Sequence, residues 1–180
     1  MELVGNALCL DLANTVNERP VPERDWIDTP DGLAAWAGLV GRAPGGTVEQ
    51  ARDLRESIYR VFSALTRDAA PPPRDLKTLF EVYAAALPSA AFARDGAHGS
   101  LRWPAGHLLG EAAASAVDLL THGPLDRLGE CPSCGWLFVD TSRNGQRRWC
   151  SMAMCGGRVK ARRHHARTRD EAQETADRSG

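Results

Sequence analysis

Four of the five cysteines in this chain fall into two pairs, Cys131-Pro-Ser-Cys134-Gly135 and Cys150-Ser-Met-Ala-Met-Cys155, with fifteen residues between the pairs. No other feature restricts the fold as tightly, because two such pairs do chemistry only when the chain between them closes a loop. In the first pair, backbone N–H groups after Cys131 can point back at its sulfur, and Gly135 supplies the positive φ that turns the chain away. The spacing of the second pair suits a tight turn or helix start that presents both sulfurs to one side. Four thiolates on a tetrahedral Zn2+ make a closed structural centre, with no position left for water or substrate. Cys131, Cys134, Cys150 and Cys155 are therefore expected to hold one structural zinc ion. Two disulfides, a redox-active Cys131/Cys134 pair, or His164 and His165 as replacement ligands are the other arrangements open to these residues. Between the pairs, residues 136–140 read as a strand, 142–145 as a turn and 147–149 as a return strand. Cys9 sits in an apolar stretch and reads as a small buried hydrophobe.

The start, Met1-Glu2-Leu3-Val4-Gly5, lacks the basic residues and apolar run of a secretory signal, and no run of eighteen apolar residues occurs. The expectation is a cytoplasmic protein with no membrane partner, in a reducing compartment where paired cysteines favour metal over disulfide.

The net charge of −1 hides a strong asymmetry. Residues 1–130 carry 12 Lys/Arg against 18 Asp/Glu, whereas residues 131–169 carry nine against Asp140 alone. The last eleven residues return to net acidity, with Asp170, Glu171, Glu174 and Asp177 against Arg178. An acidic body with one concentrated basic segment points to a polyanionic partner for that segment only.

Helical periodicity dominates residues 1–125. Thr29-Pro30-Asp31 reads as an N-cap, an N1 proline and an acidic first turn; Leu33, Trp36, Ala37 and Val40 follow on one face, and Gly41 can stop the helix. Thr47 and Gln50 form a capping-box pattern ahead of the face Ala51, Leu54, Ile58, Val61, Phe62 and Leu65. A third helix, entered through Pro71-Pro72-Pro73, aligns Leu76, Leu79, Phe80, Tyr83 and Leu87. A fourth aligns Leu109, Ala112, Ala113, Ala116, Val117 and Leu120 and ends near Gly123-Pro124. Between these two, residues 90–94 and 100–103 suit a short hairpin with a long loop. His98 and His107 read as surface or loop residues.

After Cys155-Gly156-Gly157, residues 158–169 have good helix propensity and no breaker. Arg158, Arg162, His165 and Arg169 would line one stripe, with Lys160, Arg163 and Arg167 beside it. Together with Arg143, Arg147 and Arg148 they form a candidate nucleic-acid surface, and arginine suits bidentate contacts to phosphate or guanine. Partial neutralisation of the zinc thiolates, docking on the acidic body, or a merely solvated face are the competing readings.

The run Cys131-Pro-Ser-Cys134-Gly-Trp136-Leu-Phe-Val-Asp140-Thr-Ser-Arg143-Asn144, with Arg148-Trp149-Cys150-Ser-Met152 and Cys155-Gly-Gly-Arg158-Val-Lys160-Ala-Arg162-Arg163, resembles the CGNR zinc-finger family. Leu8-Cys9-Leu10-Asp11-Leu12-Ala13-Asn14-Thr15-Val16 resembles the L-x-L-D-x-x-N-T signature of the ABATE domain that precedes it. One position departs from the pattern: Gly157 stands where the family name has asparagine. The resemblance implies zinc binding at the four cysteines and a stress-induced bacterial transcription regulator, and it brings no catalytic residues. The signature also has a reading of its own. Leu8, Leu10 and Leu12 suit a short buried element, and Asp11, Asn14 and Thr15 can bond nearby backbone groups. Alternatively, Asp11, Asn14 and Arg19 line a small effector pocket.

The expected architecture is α+β: a mostly helical domain over residues 1–125, then a small treble-clef-like zinc module over 126–172 that ends in a basic helix. The expected function is binding of duplex DNA through the module, with the helical domain serving effector sensing or homodimerisation. RNA binding, with Trp136 or Trp149 stacked on bases, and a purely structural zinc site in a ligand-binding or interaction protein are the alternatives. No nucleophile–base pair, phosphate loop or open metal site suggests an enzyme.

Overall fold

The computed structural model describes residues 2–96 and 98–161. Among the described residues the helices α1 (Leu8–Ala13), α2 (Pro30–Leu39), α3 (Val48–Leu65), α4 (Pro73–Ala86) and α5 (Leu108–His122) accompany two small antiparallel sheets, and residues 157–161 are also helical. One sheet is the hairpin β1 (Ala91–Asp95) and β2 (His98–Arg102); the other pairs β3 (Leu128–Glu130) with β4 (Leu137–Val139). The chain is α+β. No helix among the described residues is long and apolar enough to cross a membrane.

The helix boundaries follow from local chemistry. Thr29 Oγ1 accepts from Gly32 N at 3.1 Å with Pro30 in the first turn, and Gly41, at φ +70°, lies just beyond the end of α2. Thr47 and Gln50 satisfy each other's backbone N–H groups at the start of α3. Each of these interactions contributes about 1 kcal/mol, so the caps position the helices while packing holds them. α3 is the central element: it touches α1, α2, α4, α5 and both strands of the second sheet. Its Leu54, Ile58 and Phe62 are fully buried, with Leu10 and Leu12 of α1, Trp36 of α2 and Leu79 of α4 around them. Cys9 belongs to this core, and burial pushes its thiol up to about 12.

Two local expectations are corrected. The hairpin has no long loop: Asp95 pairs with His98, leaving two residues between the strands, because both strands extend towards Gly96 and its positive φ. Residues 147–149 form no strand. The partner of β4 is β3, which lies before the first cysteine, so the zinc-binding turn at 131–136 sits at the tip of this hairpin.

β4 belongs to the helical core on one face, while Trp136, Phe138 and the four cysteines form a second, smaller buried cluster. Leu137 and Val139 of β4 are buried among the helices, and Val139 N donates to Gly5 O at 3.0 Å. Gly5 is small for a reason: a Cβ there would lie 2.8 Å from Leu10 Cβ and 2.9 Å from Asp11 N. Its N–H donates to Asp11 Oδ1 at 2.8 Å.

Candidate metal centre and nucleic-acid interface

The first cysteine pair is shaped by its own backbone. Gly135 N donates to Cys131 O and Cys131 N to Trp136 O, both at 2.8 Å, and Gly135 takes φ +71° as its position in the turn demands. A Cβ at Gly135 would approach Arg19 Cβ to 2.7 Å, so the site also needs glycine for packing. In the second pair Cys150 precedes a π-helical turn, Met152–Gly156, that contains Cys155 and is capped by Ser151 Oγ accepting from Met154 N. That turn carries Cys155 back towards Cys150.

All four sulfurs lie within 4.8 Å of one another, and the Cys134–Cys150 and Cys150–Cys155 separations are 3.5 Å. A tetrahedral Zn2+ with Zn–S bonds of about 2.3 Å sets its sulfurs about 3.8 Å apart, so the cluster fits zinc; none of the sulfurs is in a disulfide. Four thiols this close cannot ionise together unaided. S–H donation from Cys134 and Cys150 holds the Cys131 thiol far below its ordinary value, and that negative sulfur drives Cys134 up and Cys150 to about 12. A divalent cation eases the conflict by coordinating all four sulfurs and offsetting half of their charge. No cysteine of the cluster is more than 7% exposed, and Val4, Trp26, Trp136 and Phe138 pack around it. The site therefore admits no substrate, and Cys131, Cys134, Cys150 and Cys155 hold one structural zinc ion.

The expected pocket residues Asp11, Asn14 and Arg19 are each engaged by neighbouring groups. Asn14 is 2% exposed, and its amide bridges both backbone groups of one strand residue: Nδ2 donates to Leu137 O at 2.8 Å, and Leu137 N donates to Oδ1 at 2.9 Å. Thr15 Oγ1 donates to Leu12 O, closing α1 locally. Asp11 binds the Gly5 N–H, and burial pushes its carboxyl above the usual range despite that bond. Arg19 is held by Glu56 and by Ala13 O, lies 4.0 Å over the Tyr59 ring, and its N–H donates to Cys134 O at 3.0 Å. The amino-terminal signature is thus a docking device for the zinc hairpin. Trp136 completes the contact: its Nε1 donates to Val16 O at 2.6 Å and its ring meets Trp26 edge-on at 5.9 Å. At 3% exposure Trp136 is closed to base stacking, whereas Trp149 is half-buried.

A second network lies beneath this contact and had no local signal in the sequence. Glu130, adjacent to the first zinc ligand, accepts from Tyr59 Oη, Ser63 Oγ, Thr66 Oγ1 and Arg67 Nη1. Arg55, 3% exposed, grips Asp25 through both terminal nitrogens at 2.6 and 2.9 Å. Burial alone would raise the Asp25 carboxyl, but the Arg55 bonds, the Ile27 N–H and the charges of Arg55 and Arg52 bring it below the usual range.

The candidate nucleic-acid residues divide into three groups. Arg143, Arg147, Arg148 and Lys160 line one cleft of about 910 Å3, with Thr141, Asn144 and Gln146 adding polar edges. Asp140 is its one acidic residue, and the carboxylate is engaged by Ser142 N at 2.8 Å and Arg147 N at 2.7 Å, which fold the 141–147 loop. Arg147 turns inward: it donates to Val4 O, Trp149 O and Cys150 O and lies 4.3 Å over the Phe138 ring. Arg143, Arg148 and Lys160 form no ion pair among the described residues, and exposed Arg158 stands in the helical residues 157–161. Arg162, Arg163, His165, Arg167 and Arg169, together with His164, lie outside the described residues.

A helical domain clasping a four-cysteine module defines a zinc-finger protein of the α+β class. The chain belongs to the ABATE family, described as "Putative stress-induced transcription regulator", whose profile matches residues 6–123. The CGNR zinc finger matches residues 127–168. No curated protein matches the chain.

Proposed function

We propose that this protein regulates transcription by binding duplex DNA through the zinc module, as a binding protein rather than an enzyme. One observation carries the reading: the cleft beside the zinc centre gathers Arg143, Arg148 and Lys160, and among the described residues its one carboxylate, Asp140, is engaged by backbone N–H groups. A concave cationic surface of this kind attracts phosphate by releasing condensed counterions. The zinc centre sets the direction in which residues 157–161 leave the module, so the metal aims the basic segment while arginines supply the contacts. A single small module buries only about 600–1,000 Å2 on DNA. A homodimer formed through the helical domain would supply the second half-site.

The test is binding of zinc-loaded protein to random duplex DNA over a salt series. A fall of log K with log salt that corresponds to roughly five to eight phosphate contacts supports the reading. No binding at low salt refutes it, and a preference for single-stranded RNA transfers the cleft to RNA. A Cys131→Ser/Cys150→Ser protein that keeps full DNA affinity would exclude the metal from the mechanism.

A further inference from the structure

A concavity opens on the helical domain among residues other than Asp11, Asn14 and Arg19. It lies between β2, α5 and the α2–α3 connection, with Tyr83 of α4 and Leu8 of α1 on its walls, and its volume is about 890 Å3. That is the size of a small-molecule site. Its apolar surface comes from Leu8, Tyr83, Leu101 and Trp103, two of them aromatic, and the Trp103 indole is fixed by donating to Ala86 O at 3.3 Å. Small residues on α5 make the space: Ala114 and Ser115 stand where larger side chains would fill it.

The polar groups on the walls are unequal. Arg42 and Glu111 neutralise each other through a 2.6 Å contact, and Asp118 accepts the His122 ring at 3.2 Å. Arg102 has no ion-pair partner among the described residues, and the buried Ser100 Oγ has no hydrogen-bond partner there. One uncommitted guanidinium and one unsatisfied hydroxyl thus stand together on the cavity wall, at neighbouring positions of β2. A guanidinium matches a carboxylate through two parallel bonds, and the aromatic walls match a flat apolar body.

We propose that this cavity binds a small aromatic monocarboxylate, with Arg102 and Ser100 holding the carboxylate and Tyr83 and Trp103 flanking the ring. The site adjoins the start of α1, whose far end holds the zinc hairpin through Asn14. Binding here is independent of whether the zinc module takes DNA, and its test uses no nucleic acid.

The experiment titrates zinc-loaded, full-length protein with 3-phenylpropionate and 2-naphthylacetate, each against its uncharged amide, followed by amide and indole N–H chemical shifts. The expected result is saturable shifts concentrated at Leu8, Tyr83, residues 99–103 and the cavity face of α5, with each acid bound at least about tenfold more tightly than its amide. Ala114→Leu, a good helix former that fills the cavity, should abolish the shifts. Arg102→Met should bring the acid down to the affinity of the amide. Absence of saturable shifts up to millimolar acid, equal binding of acid and amide, or shifts that survive Ala114→Leu in a folded protein would each overturn the proposal.

Discussion

Replacing Asn14 by alanine removes the clasp between the two halves of the molecule without touching a zinc ligand. Two buried hydrogen bonds disappear, Asn14 Nδ2 to Leu137 O at 2.8 Å and Leu137 N to Asn14 Oδ1 at 2.9 Å. Each is worth about 0.5–1.5 kcal/mol net, and the Leu137 N–H and C=O left without partners in the core add about 1–3 kcal/mol each in the worst case. Leu137 is fully buried, so little water can reach those groups. The expected loss is about 3 kcal/mol, or a fall in Tm of about 6–12 °C for a domain of this size. Urea unfolding of zinc-loaded protein measures it, with Asn14→Asp as the companion. The aspartate keeps an acceptor for Leu137 N but opposes its carbonyl with another oxygen, so it should lose at least as much stability at neutral pH. Zinc retention against a chelator should weaken in both variants, because Leu137 lies three residues after Cys134. A loss below about 1 kcal/mol for Asn14→Ala would refute the reasoning and transfer the docking of β4 to its apolar contacts.

Four other outcomes follow from the same contacts. Arg55→Ala removes the bidentate partner of Asp25, leaving it Arg52 and the Ile27 N–H, and should cost about 1.5–3 kcal/mol by denaturant titration, with Arg55→Lys intermediate because it cannot form the fork. The Asp25 carboxyl is held below its ordinary value of 3.8 in the folded state, so its contribution is present above that pH and fades as pH falls through the lowered value. The wild-type minus Asp25→Asn stability difference, measured from pH 7 to 3, should therefore shrink only at the acid end. Arg143→Ala and Arg148→Ala should each lower the salt slope of DNA binding by about one phosphate with Tm unchanged, whereas Arg147→Ala should lower Tm because its donors hold Val4, Trp149 and Cys150 carbonyls. Metal analysis should find one zinc per chain, and chelation should expose Trp136, read as a red shift of tryptophan emission.

Much of the fold was legible because its causes are local. Thr29-Pro30, the Thr47/Gln50 box and the triple proline before α4 act within one helical turn, and the expected helices appear where those residues stand. The zinc ligands were legible because coordination chemistry restricts both residue type and spacing. The two corrected expectations concern nearby segments that the local pattern left open. β4 pairs backwards with residues 128–130, across the first cysteine turn, and the residues after Arg147 are instead engaged by the Arg147 side chain through the Trp149 and Cys150 carbonyls.

The sequence by itself determined the metal, the helices and the charge asymmetry, since each depends on neighbours a few positions apart or on composition alone. Only the tertiary structure decided that Asn14 grips Leu137, that Trp136 is buried against Val16, and that of the three cleft arginines Arg147 commits its guanidinium to the Val4, Trp149 and Cys150 carbonyls while Arg143 and Arg148 form no ion pair among the described residues. Those assignments join residues more than a hundred positions apart or separate chemically identical neighbours. A side chain's role is set by which groups surround it once the chain has folded, and no local pattern carries that information.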